Sequence, residues 1–128
     1  LRKETLPRYD RAIAALVEDI YERGLDRQVL VMVFGEFGRT PRVNKDAGRD
    51  HWPGAMSMLL AGGGLKVGQM VGETDSKAAY PSSKPYTPGN VLSTMYRFLG
   101  IDDEHVLYDS NNRPVPILKD GGPIAELV

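Results

Sequence analysis

No cysteine occurs in the 128 residues, which rules out disulfides and thiolate metal sites and leaves histidine and carboxylate side chains as the ligands for any bound ion. Histidine itself is scarce, with two in the chain, and so is tryptophan, with one. No apolar run is long enough to span a bilayer, and no signal-peptide pattern is present. Neither sign of charge dominates: 16 basic residues stand against 17 acidic ones, a net charge of -1, so no long-range field recruits nucleic acid or an anionic membrane. Gly62, Gly63 and Gly64 lie in neither a GxGxxG nor a P-loop pattern, and a tight turn is the better reading.

What is present suits one globular domain with a modest core, or a fragment of one, over residues 1–128: 41% of the residues are hydrophobic and 26% charged. The chain opens on Leu1 rather than methionine, which reads as the later part of a longer polypeptide. Residues 5 to 23 have helical periodicity, with Leu6, Tyr9, Ile13, Leu16, Val17 and Ile20 on one stripe, Thr5 as cap, Pro7 in the first turn and Gly24 as the stop. Two continuous apolar runs, "QVLVMVF" at 28 to 34 and "MSMLLAG" at 56 to 62, read as strands buried on both faces of a parallel sheet. A short strand ending near Val71 is expected and another at 115 to 118, after which the tail frays. A second helix is expected from the Thr87-Pro88 cap to Gly100, with Val91, Leu92, Met95, Tyr96 and Leu99 forming its stripe. This order predicts an α/β sheet with helices on both faces, and ligands in such sheets sit at the carboxyl ends of the strands.

Between the two apolar runs lies "GEFGRTPRVNKDAGRDHWPG", a polar segment of about 20 residues, a length at which loops are often functional. Its Glu36, Asp46, Asp50 and His51 are ligand types for zinc, manganese, calcium or magnesium, and Arg39, Arg42 and Arg49 can hold a phosphate or sulfate by paired hydrogen bonds. The same residues suit a salt-bridged surface loop, with Glu36 paired to Arg39 and Asp50 to Arg49. Trp52 reads as packing at a pocket rim, and His105, beside Asp102, Asp103 and Glu104, as an exposed residue.

The motifs "GEFGRTPRVN", "GRDHWPGAMSMLLAGGGLKVGQMVGETD" and "YTPGNVLSTMYRFLGI", in this order from about residue 28 to 101, resemble the C-terminal part of the DUF1501 family, bacterial proteins related to sulfatases and the alkaline phosphatase superfamily. The resemblance implies part of a three-layer α/β/α sandwich with a mostly parallel sheet. It implies a site where one or two divalent ions (zinc, manganese, calcium or magnesium) assist a Ser, Thr or modified Cys nucleophile. Glu36 and His51 fall at metal-ligand places, Asp50 would orient His51, and Arg39 and Arg49 would steady the oxyanion. Phe37 stands where metal-dependent relatives carry histidine, so one nitrogen ligand is missing, and the half that bears the nucleophile is outside this chain.

Three functions follow as expectations. The first is the C-terminal portion of a metal-dependent hydrolase of phosphate or sulfate esters, inactive as an isolated segment. The second is a binding or structural module with a degenerate site, and the third a domain that recognises sulfated or phosphorylated glycans without hydrolysis. The family resemblance also implies export from the cytoplasm. A parallel sheet cut part-way would leave an apolar edge exposed, so self-association of the chain is expected.

Overall fold

The computed structural model describes residues 3–128. Its elements run α1 (Thr5–Glu22), β1 (Leu30–Val33), β2 (Gly38–Arg39), β3 (His51–Trp52), β4 (Leu59–Gly62), α2 (Pro88–Phe98), β5 (Val106–Tyr108) and β6 (Pro114–Pro116). They divide into two compact units. One comprises the described residues up to Phe34 with Met58–Val67; the other comprises Gly35–Ser57 with Gly68–Val128.

In the first unit, the apolar stripe of α1 follows its sequence spacing, but Ile20 is the only residue of the helix that is fully buried. Thr5 is the first helical residue rather than the cap; Glu4 occupies the cap position and makes no side-chain bond there. The other end closes as the sequence predicts. Leu25 N–H donates to the Ile20 carbonyl and Gly24 N–H to that of Tyr21, with Gly24 at φ +67°, a Schellman motif that needs a residue tolerant of left-handed backbone. α2 ends identically at Gly100, through Ile101 to Tyr96 and Gly100 to Arg97.

The parallel sheet and the three-layer sandwich expected from the sequence are not formed among the described residues. Each of the three sheets has two strands, and every pair is antiparallel. β1 and β4, the two apolar runs, pair with each other, from Leu30 opposite Gly62 to Val33 opposite Leu59. A parallel pair needs a crossover, usually a helix, between its strands. The residues between β1 and β4 contain only the β2–β3 ribbon and no helix, so the chain returns antiparallel. A continuous apolar run signals burial but carries no information about strand direction. Burial is also less than the run implies, because β1 is half-buried at all four positions and α1 packs against β4. Gly63 and Gly64 turn the chain by donating to the carbonyls of Val29 and Asp26.

In the second unit, α2 starts at a capping box in which Asn90 Oδ1 accepts from Thr87 N–H at 2.8 Å, and Pro88 fills the first helical position. The core against this helix is built by the C-terminal tail, which docks instead of fraying. Ile124 and Leu127 are buried, as are Ser93 and Thr94 of α2. Thr94 Oγ1 donates to the Asn90 carbonyl at 2.8 Å and accepts from Ile124 N–H at 2.9 Å, while Asn90 Nδ2 donates to the Gly122 carbonyl. The tail has no periodicity to announce this, since two spaced apolar residues and backbone hydrogen bonds hold it. No strand forms near Val71; a single bridge joins Thr74 and Pro81 instead. The late strand begins at Pro114 and pairs with β5.

Candidate functional site

The long polar segment folds as a ribbon. β2 and β3 pair with Gly38 opposite Trp52 and Arg39 opposite His51, and Thr40 N–H extends the ladder to the Asp50 carbonyl. Gly38 has to be glycine for space, because a Cβ there would collide with the Ala55 carbonyl. Trp52 anchors the ribbon: its Nε1–H donates to the Ala79 carbonyl at 2.7 Å, and its ring lies 5.3 Å from that of Tyr80.

At the tip, Asn44 organises the loop. Its Oδ1 accepts from the backbone N–H groups of Asp46 and Gly48, and its Nδ2 donates to Asp50 Oδ1 at 2.8 Å. Arg49 donates to the carbonyls of Thr40 and Pro41. Thr40 Oγ1 donates to the Arg42 carbonyl and accepts from Asp50 N–H. Thus Asp50 and Arg49 are both engaged in closing the loop: the Asp50 carboxylate faces Asn44, and the Arg49 guanidinium faces main-chain oxygens. The Glu36–Arg39 and Asp50–Arg49 pairs do not occur among the ion pairs of the described residues, which are Asp19–Arg23, Asp103–Arg97 and Asp109–Arg113.

Arg39 and His51 are placed differently. Both are exposed, and they face each other across the ribbon. The Phe37 ring lies 3.9 Å from that of His51, centroid to centroid, and the Arg39 guanidinium carbon is 5.3 Å from the Phe37 centroid. An aromatic face beneath a guanidinium holds it by cation–π attraction while leaving its N–H groups free to bind. The result is a small surface with a guanidinium and an imidazole side by side on an aromatic plate, suited to an anion with several oxygens. Phe37, which the sequence offered only as an absent histidine ligand, is the residue in ring contact with the other two. The alternation of Phe37 and Arg39 about Gly38 was its only signal in the sequence.

Glu36 is exposed, and among the described residues it has no hydrogen-bond or ion-pair partner. No group of three or more histidine and carboxylate side chains able to hold a metal ion exists among the described residues. Glu36 and His51 by themselves are too few for the divalent ion expected from the family resemblance, which needs at least three protein ligands or bound substrate to complete its shell. Of the described residues, no helix is long and apolar enough to cross a membrane.

A mixed α and β chain with two helices and three two-stranded antiparallel sheets, one of which carries Arg39 opposite His51, is the class that the fold and this site define. The chain matches the family described as a protein of unknown function, DUF1501, over residues 2–128, and it belongs to that family. No curated protein and no solved structure matches it.

Proposed function

We propose that the chain recognises phosphate or sulfate monoesters through the exposed face formed by Phe37, Arg39 and His51. The observation that carries this reading is the cross-strand pairing of Arg39 with His51 over the Phe37 ring. Arg39 supplies a planar fork of donors for two oxyanion oxygens. His51 adds a third donor, and a positive charge when protonated. The Asn44–Asp50 and Arg49–Thr40 contacts keep the loop behind His51 in one shape, so the two groups are held ready rather than assembled on binding.

The relation to sulfatases and alkaline phosphatases belongs to this proposal as the source of the substrate class. Within it, Glu36 and His51 serve a divalent ion only where further ligands come from outside the described residues, so no chemical step is assigned to this chain through a metal. Binding of the ester is the function its own residues support.

The test is a titration of the chain with inorganic sulfate, inorganic phosphate and phenyl phosphate, followed by the His51 ring resonances in NMR. Saturable shifts are expected, and they should disappear in Arg39→Ala while persisting in an exposed control such as Arg42→Ala. Shifts that never saturate, or that survive Arg39→Ala unchanged, would defeat the proposal.

A further inference from the structure

The hairpin of β5 and β6 has two outer edges of opposite character. Ile117 N–H donates to the His105 carbonyl at 2.9 Å and Asp109 N–H to the Arg113 carbonyl at 3.1 Å. Bonded and non-bonded pairs alternate along an antiparallel ladder, so Leu107 and Val115 form the bonded pair between these two. The backbones of Val106 and Tyr108 therefore turn outward on one side, and those of Pro114 and Pro116 on the other. Proline has no N–H, so the β6 edge offers no donors at either outward position and cannot be extended by another strand. The β5 edge keeps both donors and both acceptors, and among the described residues no strand pairs with them. Its side chains are open too, with Val106, Leu107 and Tyr108 exposed at 38%, 53% and 66%. One edge is closed by proline while the other stays complete, apolar and uncovered, which is the condition for adding a strand.

We propose that β5 pairs antiparallel with β5 of a second copy of this chain, with the two-fold axis at Leu107. The sequence His105-Val106-Leu107-Tyr108-Asp109 complements its own reverse. In this register Leu107 lies opposite Leu107 of the second copy, and Val106 lies opposite Tyr108 twice, each pair exchanging two backbone hydrogen bonds. His105 lies opposite Asp109 at each end, where the Asp109 carboxylate stays within its own turn, held by the Arg113 guanidinium and the N–H groups of Asn111 and Arg113. Sliding by one bonded pair in either direction ruins this match. One slide sets Asp109 against Leu107; the other sets Glu104 against Tyr108 and His105 against Leu107. The apolar match of Val106, Leu107 and Tyr108 with their own reverse, and the cost of setting Asp109 or Glu104 against an apolar side chain, thus select both the occupant and its register. The edge is short, well below the roughly 800 Å² per partner of a stable interface, so the pair is a weak one that forms at high concentration.

Because the chain has no cysteine, a single Leu107→Cys substitution gives a clean probe. A non-bonded antiparallel pair brings the two Cα atoms to about 4.5 Å, within disulfide reach. Under a mild glutathione buffer, Leu107→Cys should form a covalent dimer, and adding Tyr108→Pro should lower the yield about tenfold or more, by removing a donor that faces only the second copy. In sedimentation equilibrium, the unmodified chain should dimerise with rising concentration, whereas Tyr108→Pro and, independently, the exposed Leu107→Lys should stay monomeric. Protection of the Asp109 amide shows whether the hairpin survives Tyr108→Pro. The proposal is overturned if the chain is monomeric up to about 1 mM, if Leu107→Lys dimerises as well as the unmodified chain, or if Leu16→Cys on the α1 stripe cross-links where Leu107→Cys does not.

Discussion

Thr94 and Ile124 are joined by a buried hydrogen bond in which the Ile124 N–H donates to the threonine hydroxyl at 2.9 Å, while that hydroxyl donates in turn to the Asn90 carbonyl. A residue thirty positions away along the chain is thereby fastened to the middle of α2. Thr94→Val keeps the shape and removes the hydroxyl, leaving the Ile124 N–H without a partner, at a cost of about 1–3 kcal/mol. Urea unfolding followed by circular dichroism measures it, with Thr94→Ser expected to recover most of the loss. An unchanged midpoint in the valine variant would mean that apolar burial of Ile124 and Leu127 alone holds the tail.

Gly100, at φ +72°, closes α2, whereas Gly122 lies outside the left-handed region with open space around its missing side chain. Gly100→Ala should cost about 1–2 kcal/mol, because an L side chain in left-handed backbone strains against its own carbonyl. Gly122→Ala should leave the thermal midpoint unchanged. Equal effects of the two substitutions would remove the Schellman closure from the account of α2.

Acid should loosen α2 through Asp103. Its side chain, 9% exposed, accepts from Ser93 Oγ and lies 3.4 Å from the Arg97 guanidinium. The Ser93 hydrogen bond, and then the Arg97 charge, hold the carboxyl below its usual range against the opposing effect of burial. A carboxyl depressed by folding contributes stability that is full above its unfolded value and is lost as pH falls through its folded one. Stability measured against pH should therefore fall less steeply on the acid side in Asp103→Asn than in the unmodified chain. Parallel curves would show that Asp103 does not report on folding.

The alkaline limb should involve Tyr86. Its hydroxyl donates to Glu126, and that hydrogen bond raises the tyrosine above its ordinary value and lowers the carboxyl. The sign is opposite to that of Asp103: the tyrosine's contribution is complete below its unfolded value and disappears as pH rises through the folded one. Ultraviolet titration should find one tyrosine ionising late, and Glu126→Gln should bring it back towards the others. A titration unchanged by Glu126→Gln would refute the pairing.

Arg39 and Arg49 lie on the same ribbon with opposite duties. Arg49→Ala removes the donor that spans the Thr40 and Pro41 carbonyls, so it should loosen the tip, cost about 1 kcal/mol and raise amide exchange around Asn44. Arg39→Ala removes only an exposed guanidinium and should leave stability within about 0.5 kcal/mol while abolishing anion binding. Reversed phenotypes would exchange their assignments.

Both helices were legible in the sequence because their signals are local. The stripe from Leu6 to Ile20, the Thr87-Pro88 start and the stops at Gly24 and Gly100 all act within one or two turns. His51 and Arg39 could be singled out by residue type and by the length of the segment that bears them. Their pairing could not, because it depends on the register of β2 against β3 and on Phe37 as the plate between them. Asp50 and Arg49 looked equally suited to ligand contact; only the folded tip shows that Asn44, Thr40 and Pro41 occupy them. The docking of Ile124 and Leu127 was invisible for the same reason, since no periodic pattern marks a tail held by two side chains and a few backbone bonds.

By itself the sequence determined where α1 and α2 lie, which runs are apolar, that no thiol chemistry is available, and which segment gathers the arginines with His51. Tertiary structure alone decided that β1 and β4 run antiparallel, that Arg39 stands opposite His51, and that one edge of the last hairpin is open while the other is closed by Pro114 and Pro116. The division has a physical cause. Helix periodicity, capping and turn chemistry are settled by neighbours a few residues apart, whereas strand direction, register and edge exposure depend on partners far along the chain, whose identity no local pattern encodes.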